Sequence, residues 1–408
     1  MSNLASILES RLGRRRFRWL RSLSEAGRDR AAGIYLVGGV VRDLLLKRPI
    51  LELDISVSGL DEALALHLAD ALGGRLTARS QFNTFKIAVG STVIDLAMTR
   101  GESYAHPGAL PDVWPGPIEQ DLARRDFSVN AMALDLSVDA WGELLDPMNG
   151  QRDLERRLIR VLHPDSFADD ATRIFRAVRY AQRLEFRLEE GTADLLKASL
   201  GGLDTISGDR LRHEFQRVFA ESDVGSALSR LADLGVLEAV FPPLGRRSGP
   251  WPDENGPSDE AEELVWLSML ACGLNAGESA QFAQRLNMGS AWAAVVRDTV
   301  KIEGILNDVR SPGILRSSIY RLLHQYHPGA LVGVVTTHSE GLARDSIDLY
   351  LRELRQVRPE LNGRDLIGLG AEEGPEIGRL LQTVLEARLD GIVTSRAGEE
   401  ALVRRLIS

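Results

Sequence analysis

The stretch LVGGVVRDLLLKRPILELDISV, residues 36–57, places two carboxylates in an otherwise apolar run. Alternating leucine, isoleucine and valine are typical of a core strand, which is predicted over residues 50–57. Glu52 and Asp54 interrupt these residues with a period of two, so both side chains leave the same face of the strand. Because like charges repel and their burial is costly, the pattern predicts a cation between them.

The same stretch carries a glycine pair, Gly38 and Gly39, between a predicted strand and a predicted short helix. Paired glycines let the backbone approach a ligand, and N–H groups at a helix start bind phosphate oxygens, to which Arg42 adds charge-assisted hydrogen bonds. Such a turn beside an acid-x-acid strand is the layout for phosphoryl transfer with two Mg²⁺ ions about 4 Å apart. Asp95, on a neighbouring predicted strand, is a third candidate Mg²⁺ ligand. The alternative is a strand whose carboxylates face water.

A second candidate segment is DLARRDFSVNAMALD, residues 121–135. A triphosphate carries enough negative charge to require an arginine, and Arg125 is the candidate. Helical spacing predicts that Asp126 and Asn130 lie on one face of a helix. A surface cluster of salt bridges is the alternative interpretation of this segment.

A third segment, DDATRIFRAVRY, residues 169–180, predicts a helix that reads a nucleobase. Its charged residues recur every three positions: Asp170, Arg173, Arg176 and Arg179. A carboxylate only accepts hydrogen bonds and a guanidinium only donates them, so Asp170 and Arg173 match the paired edges of cytosine and adenine. Uracil and guanine present an acceptor where the carboxylate needs a donor. An exposed ion pair of little energetic value is the alternative.

The composition favours a globular protein of two to four domains, with 408 residues, 44% hydrophobic and 26% charged. No run approaches the roughly 18 apolar residues of a membrane span, and the N-terminus lacks the order of a signal peptide. The only cysteine, Cys272, excludes an internal disulfide and a Cys-based zinc site, and fits the reducing cytoplasm. The net charge is −9, yet residues 1–50 hold 11 basic and 4 acidic side chains, a local excess that suits a polyanion.

The pattern of periodicities divides the chain into three predicted domains. Residues 1–150 are predicted to form an α/β head with a mixed sheet and a basic N-terminal helix. Residues 151–245 are predicted to form a helical neck that carries the base-reading segment. Residues 246–408 are predicted to be a helical body and tail, and residues 245–263, rich in Gly, Pro, Ser and acid, are predicted to be a linker.

Taken together and in this order, the motifs resemble those of the class II tRNA nucleotidyltransferases, the CCA-adding enzymes, and of the related bacterial poly(A) polymerases. The resemblance covers residues 30–245 closely and includes LLDPMNGQRDLERRLIRVL and ISGDRLRHEF. It implies addition of C and A to the 3′ end of tRNA from CTP and ATP, with the acceptor arm along the helical part and no obligate protein partner. Carried over by motif, Glu52 and Asp54 hold Mg²⁺. The implied nucleotide-binding residues are Gly38, Gly39, Arg42, Arg125, Asp170, Arg173, Arg176 and Arg179.

Two departures from the family pattern keep alternatives open. The family's acid pair is normally Asp-x-Asp, and Glu52 reaches about 1.5 Å further, which allows for reduced activity or for a non-catalytic RNA-binding paralogue. Asp169 replaces a glutamate of the base-reading motif, but Asp170 and Arg173 are retained. Enzymes of the family that add only CC lack a loop that residues 99–120 fill here. CC-only addition is thereby disfavoured, while full CCA addition, A-only addition and poly(A) tailing stay open.

Overall fold

The computed structural model describes residues 3–50, 52–80, 83–103, 112–246, 251, 262–338 and 341–407. By its internal packing the chain divides into two units. The first unit consists of Met1–Ser207, Glu221–Asp223 and Asp233–Val240. The second unit consists of Gly208–Ala220, Val224–Ala232 and Phe241–Ser408.

The first unit is built on a seven-stranded mixed sheet with the strand order β3-β4-β5-β2-β1-β8-β9. All neighbouring strands in it are antiparallel except β2 and β5, which run parallel. A separate hairpin, β6–β7, and a short parallel pair, β10–β11, complete the strands. The strands are β1 (Ile34–Val37), β2 (Asp54–Val57), β3 (Arg75–Arg79), β4 (Thr84–Val89), β5 (Thr92–Met98), β6 (Arg100–Ser103), β7 (Asp112–Pro115), β8 (Ala133–Asp135), β9 (Leu144–Leu145), β10 (Leu158–Ile159) and β11 (Arg187–Leu188).

The first unit also contains helices, and those nearest its N-terminus contact strands of this sheet. They are α1 (Ala5–Asp29), α2 (Gly39–Leu45), α3 (Glu62–Ala71), α4 (Ile118–Ala123), α5 (Gly150–Arg156), α6 (Ser166–Asp169), α7 (Thr172–Leu184), α8 (Glu190–Ala198) and α11 (Val236–Val240). Helix α3 is amphipathic: Leu64 and Leu68 are buried, and the Asp61 side chain caps its start by accepting from the Leu64 N–H at 2.8 Å.

The basic N-terminal segment is helical as predicted, with an interruption at Gly13, whose φ of 72° is not helical. Several of its arginines contact the first unit itself. The Arg15 Nη2 donates to the Val89 carbonyl of β4 at 3.4 Å, and Arg21 stacks over the ring of Trp141 at 3.8 Å. Arg16 donates to the carbonyl of Ile50 at 2.5 Å. A share of the local positive charge therefore holds this helix on the sheet domain.

Three local predictions need correction. The strand predicted over residues 50–57 begins only at Asp54, because the ladder to β5 starts there and the ladder to β1 starts at Ile55; Glu52 lies before both. The helix expected over Asp126–Asn130 is instead a short 3-10 turn over Ser128–Asn130 that follows α4. The predicted neck is helical except for the parallel pair β10–β11.

The second unit is helical throughout its described residues. Its helices are α9 (Gly208–Phe219), α10 (Val224–Asp233), α12 (Glu262–Ala271), α13 (Ala276–Arg285), α14 (Ser290–Val309), α15 (Arg316–Leu323), α16 (Pro328–Thr337), α17 (Leu342–Arg352), α18 (Gly363–Gly368), α19 (Pro375–Leu389) and α20 (Arg396–Ile407). Helices α12, α14 and α16 pack on one another, and their apolar faces supply buried residues such as Leu267, Val296 and Leu331. The chain near the end of α18 and helices α19 and α20 form a separate small core that includes Leu366, Val384 and Val403.

The predicted fold class, an α/β head followed by helical domains, is confirmed by this order of elements. The predicted head, 1–150, and most of the predicted neck fall within one unit, so the division at 150 and 245 stays a prediction. The predicted linker at 245–263 lies mostly outside the described residues. No helix of the described chain is long and apolar enough to cross a membrane.

Candidate active site

A row of charged side chains crosses three adjacent strands of the sheet. Asp54 on β2 pairs in register with Asp95 on β5, and Asp95 pairs with Lys86 on β4. In-register partners point to the same face, so all three side chains share one face of the sheet. The Lys86 Nζ donates to both oxygens of Asp95, at 2.9 and 3.0 Å. The predicted pairing of Asp54 and Asp95 on neighbouring strands is thus present.

The Asp54 carboxyl lies in an environment that disfavours its charge. Burial raises its pKa above the usual range, the neighbouring Glu52 carboxylate raises it further, and Asp95 adds to this. Arg125 and Lys86 oppose the shift without cancelling it. Asp95 faces Asp54 across the two strands, and Glu52 lies two residues before Asp54 in the chain. Two carboxylates that face each other across neighbouring strands, with a surplus of negative charge, fit a hard divalent cation.

Glu52 occupies a different setting from Asp54. It lies outside the strand ladder and is exposed, whereas Asp54 is half-buried at the start of β2. Its backbone is therefore free of the register that fixes Asp54 and Asp95. Glu52 and Asp54 were predicted to share one face of a strand. In the structure only Asp54 belongs to the strand, and Glu52 lies in the segment that precedes it.

The glycine pair lies at the junction of β1 and α2, as predicted. Gly38 has a φ of +73°, which favours glycine, and a Cβ there would lie 2.8 Å from the Arg125 Nη1. At Gly39, a Cβ would lie 3.4 Å from the Arg42 Nη2. Arg125 therefore passes directly over the Gly38 backbone, an approach that a side chain at residue 38 would block.

Arg125 is positioned by Asp121, a buried residue of α4 that sequence reasoning missed. Asp121 accepts from the Arg125 Nη2 at 2.8 Å and from the Arg124 Nη2 at 2.6 Å. Burial by itself raises the pKa of Asp121, but the two guanidinium groups outweigh it and hold that pKa below the usual range. The Nε of Arg125 is buried without a hydrogen-bond partner among the described residues. A buried donor left in this way has hydrogen-bonding capacity for a ligand.

Arg42 begins a chain of polar contacts that leads to α7. The buried Arg42 donates to Asp43 through two nitrogens, each at 2.9 Å, and to the Asn130 Oδ1 at 2.7 Å. Asn130 in turn donates to the Asp126 Oδ1 at 3.1 Å. The Asp126 Oδ2 accepts from the Arg176 Nε at 2.8 Å. The predicted contact between Asp126 and Asn130 is present, although a tight turn and not a helical face creates it.

Asp126 is fully enclosed by these partners. Burial raises the pKa of its carboxyl, but Arg176 and the Asn130 amide outweigh burial and keep that pKa below the usual range. Arg176 also lies 5.4 Å from the ring of Tyr180, as does Arg42. The two arginines are therefore held on either side of an internal polar cluster.

The predicted base-reading residues lie at the start of α7. Asp170 accepts from the Thr172 N–H at 3.0 Å and from its hydroxyl at 2.7 Å, which caps the helix. The buried Arg173 donates to the Ser166 Oγ at 2.7 Å and to the Arg124 carbonyl at 2.9 Å. Both side chains thus have fixed orientations, and Arg173 links α7 to the segment that carries Arg125.

Arg179 lies further along α7 with a partner that the sequence did not reveal. Its Nε donates to the Glu221 Oε1 at 2.8 Å, and Arg183 donates to both Glu221 oxygens, at 2.6 and 2.9 Å. Glu221 is almost fully buried, with 5% of its side chain exposed. Of the three partners that the sequence analysis did not identify, only Asp121 had a recognisable signal, because it lies three and four residues before its arginines. No sequence pattern indicated that Glu221 would pair with Arg179 or Lys86 with Asp95.

Two successive segments of the chain match known protein families. Residues 34–160 match the "Poly A polymerase head domain" family, and residues 185–246 match the "Probable RNA and SrmB- binding site of polymerase A" family. An A-adding tRNA nucleotidyltransferase of Halalkalibacterium halodurans is 32% identical over 91% of this chain and 88% of the relative. The chain belongs to the class II tRNA nucleotidyltransferase family.

Other relatives of the family differ in the nucleotide they are named for. An A-adding enzyme of Geobacter sulfurreducens is 32% identical over 95% of this chain, which spans 46% of that relative's length. A CC-adding enzyme of Deinococcus radiodurans is also 32% identical, over 95% of this chain and 92% of the relative. Identity therefore does not distinguish A addition from CC addition.

Solved structures show the same fold. A CCA-adding enzyme in its apo form II superimposes with a TM-score of 0.85 at 29% identity, covering 99% of each chain. The Thermotoga maritima CCA-adding enzyme complexed with tRNA superimposes with a TM-score of 0.80 at 28% identity, covering 100% of this chain and 99% of the other. The predicted family is confirmed, and a divalent metal is consistent with it.

Proposed function

We propose that this protein adds nucleotides to the 3′ end of tRNA from CTP and ATP, without a nucleic-acid template and with Mg²⁺. The observation that carries the proposal is the under-neutralised row of Asp54 and Asp95 beside Arg125, which crosses the glycine turn. This juxtaposition supplies oxygen ligands for a cation next to a cationic side chain that has an unused buried donor. Those are the groups that a nucleoside triphosphate needs.

In this proposal Glu52, Asp54 and Asp95 hold Mg²⁺. When bound, the metal supplies positive charge that activates the tRNA 3′-hydroxyl and neutralises the pyrophosphate that leaves. To bind the metal, Asp54 must be ionised. The positive charge of the metal would favour this form and so oppose the factors that now raise the pKa of Asp54. Lys86, which now neutralises Asp95, gives up part of that contact.

The chain's other residues bind and orient the nucleotide. Gly38 and Gly39 allow the triphosphate to approach the backbone, and Arg125 offers its Nε. Asp170 and Arg173 read the base, because a fixed acceptor beside a fixed donor matches cytosine and adenine and mismatches uracil and guanine. Arg42, Arg176 and Arg179 support these groups through Asn130, Asp126 and Glu221.

Among the possible reactions, addition of the terminal adenosine has the strongest support from the sequence. Residues 99–120 are present, which separates the chain from the pattern of CC-only enzymes, and the described flanks of this segment pair as β6 and β7. Relatives named A-adding and CC-adding are equally similar to this chain, so the presence of residues 99–120 is what favours A addition. A-only addition and full CCA addition share this feature, and the experiment below separates them.

The same proposal assigns tRNA binding and location. Residues 246–408 bind the acceptor arm, residues 1–150 hold the catalytic head and residues 151–245 carry the base reader. The single cysteine suits the cytoplasm, where tRNA maturation takes place.

The test is single-nucleotide incorporation by the purified protein. Transcripts of tRNA that end before the tail, after C and after CC are each mixed with one labelled nucleoside triphosphate, with Mg²⁺ and without it. Adenosine on the CC end alone establishes A-only addition, and cytidine on the shorter ends as well establishes full CCA addition. Repeated adenosine on any RNA indicates tailing. Binding of tRNA without any incorporation overturns the proposal and favours a non-catalytic paralogue.

A further inference from the structure

A second cluster of metal-ligating side chains lies in the second unit and has no part in the site above. The Cys272 thiol, a Glu303 carboxylate oxygen and a His338 ring nitrogen all lie within 4.8 Å of one another. Cys272 follows the end of α12, Glu303 lies on α14, and His338 is the first residue after α16. We propose that these three side chains form a binding site for one Zn²⁺ ion.

The three helices meet in a tight junction one turn before the cluster. Ser268 on α12 and Thr299 on α14 share a hydrogen bond of 2.7 Å between their hydroxyl groups, and the Ser268 hydroxyl lies 3.2 Å from the Ala330 carbonyl of α16. A Cβ at Gly333 on α16 would lie 2.4 Å from the Ser268 Oγ. Glycine is therefore required for this approach of α12 and α16.

This junction fixes where the ligands come together. Cys272 lies four residues after Ser268, and Glu303 lies four residues after Thr299, so each ligand projects from the same helix face as its junction residue. His338 follows the junction glycine by five residues, and its backbone N–H donates to the Val334 carbonyl. The convergence of the three side chains thus rests on backbones that are packed against one another.

Hydrogen bonds already orient the central carboxylate. Gly273, with a φ of +83°, turns its backbone N–H towards Glu303 and donates to both of its oxygens, at 3.1 and 3.0 Å. The His338 Nε2 lies 2.8 Å from the Glu303 Oε1. Outer hydrogen bonds of this kind are the usual means by which a metal ligand is held in place.

The donor set has the chemistry of zinc. A thiolate, an imidazole and a carboxylate are the three ligand types of Zn²⁺, with distances of about 2.3 Å to sulfur and about 2.0 Å to nitrogen and oxygen. In a tetrahedral centre the imidazole nitrogen and the carboxylate oxygen would lie about 3.3 Å apart. The observed 2.8 Å contact needs to open by only about half an ångström. Three protein ligands leave the fourth position for water.

The three side chains differ in exposure to solvent, and this difference shows from which side an ion can reach the site. Cys272 is 8% exposed, the Glu303 side chain is 17% exposed and the His338 side chain is 39% exposed. An ion enters from the histidine side and meets the thiol last. The expectation from the sequence, that a single cysteine excludes a Cys-based zinc site, holds only for sites built from several cysteines, because a mixed set of ligands needs one thiolate.

Cobalt(II) is the probe for the experiment, because a thiolate bound to Co²⁺ gives a charge-transfer absorption in the near ultraviolet. The full-length protein is stripped of metal with a chelator, and Co²⁺ is added in increments. Since Cys272 is the only cysteine, the carboxylates of the active site cannot produce this band. We expect the band to saturate at one equivalent and to disappear when one equivalent of Zn²⁺ is added.

Three variants give the result its meaning. Cys272→Ser abolishes the band, and His338→Gln, at an exposed position that tolerates substitution, weakens Co²⁺ affinity at least about 10-fold. Asp54→Asn is the control and leaves the band unchanged. Zn²⁺ at about 100 times its dissociation constant raises the thermal midpoint of the wild type by roughly 5 °C, and this rise is lost in His338→Gln. No band in the wild type, or a band of equal affinity in His338→Gln, overturns the proposal and leaves an ion pair between His338 and Glu303.

Discussion

Two groups of carboxylates in the first unit experience opposite electrostatics. Asp54 lies beside other acids, and its pKa is raised by burial and then by Glu52. Asp121 and Asp126 are more deeply buried, yet arginines hold their pKa values below the usual range. The difference is pairing: two guanidinium groups meet Asp121, whereas the one lysine in the acid row bonds to Asp95.

This comparison distinguishes a carboxylate that is available to bind a cation, Asp54, from carboxylates that stabilise the fold through ion pairs, Asp121 and Asp126. A carboxylate with a lowered pKa stabilises the protein above its unfolded pKa, and this contribution is lost as the pH falls through its folded pKa. A carboxylate with a raised pKa does the reverse: the stability it adds below the unfolded pKa is lost as the pH rises through the folded pKa. Asp54 therefore costs stability at neutral pH, which a bound cation would offset.

The largest effect is expected for Asp54→Asn. The amide loses the negative charge that holds the cation, so nucleotide incorporation falls by at least about 1,000-fold. The midpoint of urea unfolding stays the same or rises, because the penalised charge is removed. Asp70→Asn, at an exposed position of α3, is the matched control and retains activity. A variant that loses activity and stability together would place Asp54 among the structural carboxylates.

Asp121→Asn is expected to act on stability. The substitution leaves two partly buried guanidinium groups without their counter-charge, at a cost of about 2–3 kcal/mol in the free energy of unfolding. The matched control is Asp95→Asn, whose ion pair with Lys86 is exposed and contributes about 0.5 kcal/mol. Equal losses for the two variants in urea unfolding would contradict the contrast between these groups.

Asp170→Asn tests whether a carboxylate that caps a helix also reads the base. An amide can donate where the carboxylate only accepts, so the preference for ATP and CTP over UTP falls at least about 10-fold in single-nucleotide assays. Asp169→Asn, at the adjacent carboxylate, is the control and preserves the preference. An unchanged preference in Asp170→Asn would assign Asp170 to helix capping alone.

Glu52→Asp tests the tolerance of the acid that precedes the strand. Since the ladder fixes Asp54 but not residue 52, the shorter side chain can be accommodated, and kcat/KM for ATP changes by less than about 10-fold. Glu52→Ala, which removes the carboxylate, lowers it by at least about 100-fold. Full activity of the alanine variant would remove Glu52 from the metal site.

Lys86→Met gives the smallest effect, a shift in the pH profile. Lys86 lowers the pKa of Asp54, so its removal raises that pKa, and the acidic limb of the kcat/KM profile moves to higher pH. Lys301→Met, an exposed lysine on a helix of the second unit, is the charge-matched control and leaves the limb in place. A limb that does not move would show that another group controls it.

The sequence predicted which segments and residues belong to the site better than it predicted the contacts that position them. The strand, glycine turn and helix around Gly38 formed as expected, because apolar periodicity and paired glycines act locally. The contact between Asp126 and Asn130 was right, but its predicted helix was wrong, since the chain turns tightly after α4. Arg42 and Arg176 were recognised as important, while their partners Asn130 and Asp126 became evident only in the structure.

The sequence by itself determined the residue types, their order and the family, since these depend on local patterns along the chain. The tertiary structure decided how each charge is balanced. It alone set the register that pairs Lys86 with Asp95 on successive strands, and it brought together Glu221 and Arg179, and Cys272, Glu303 and His338, which lie far apart in the chain. Pairing depends on sheet register and helix packing, and the energy of a charge depends on what surrounds it. No local pattern records either quantity.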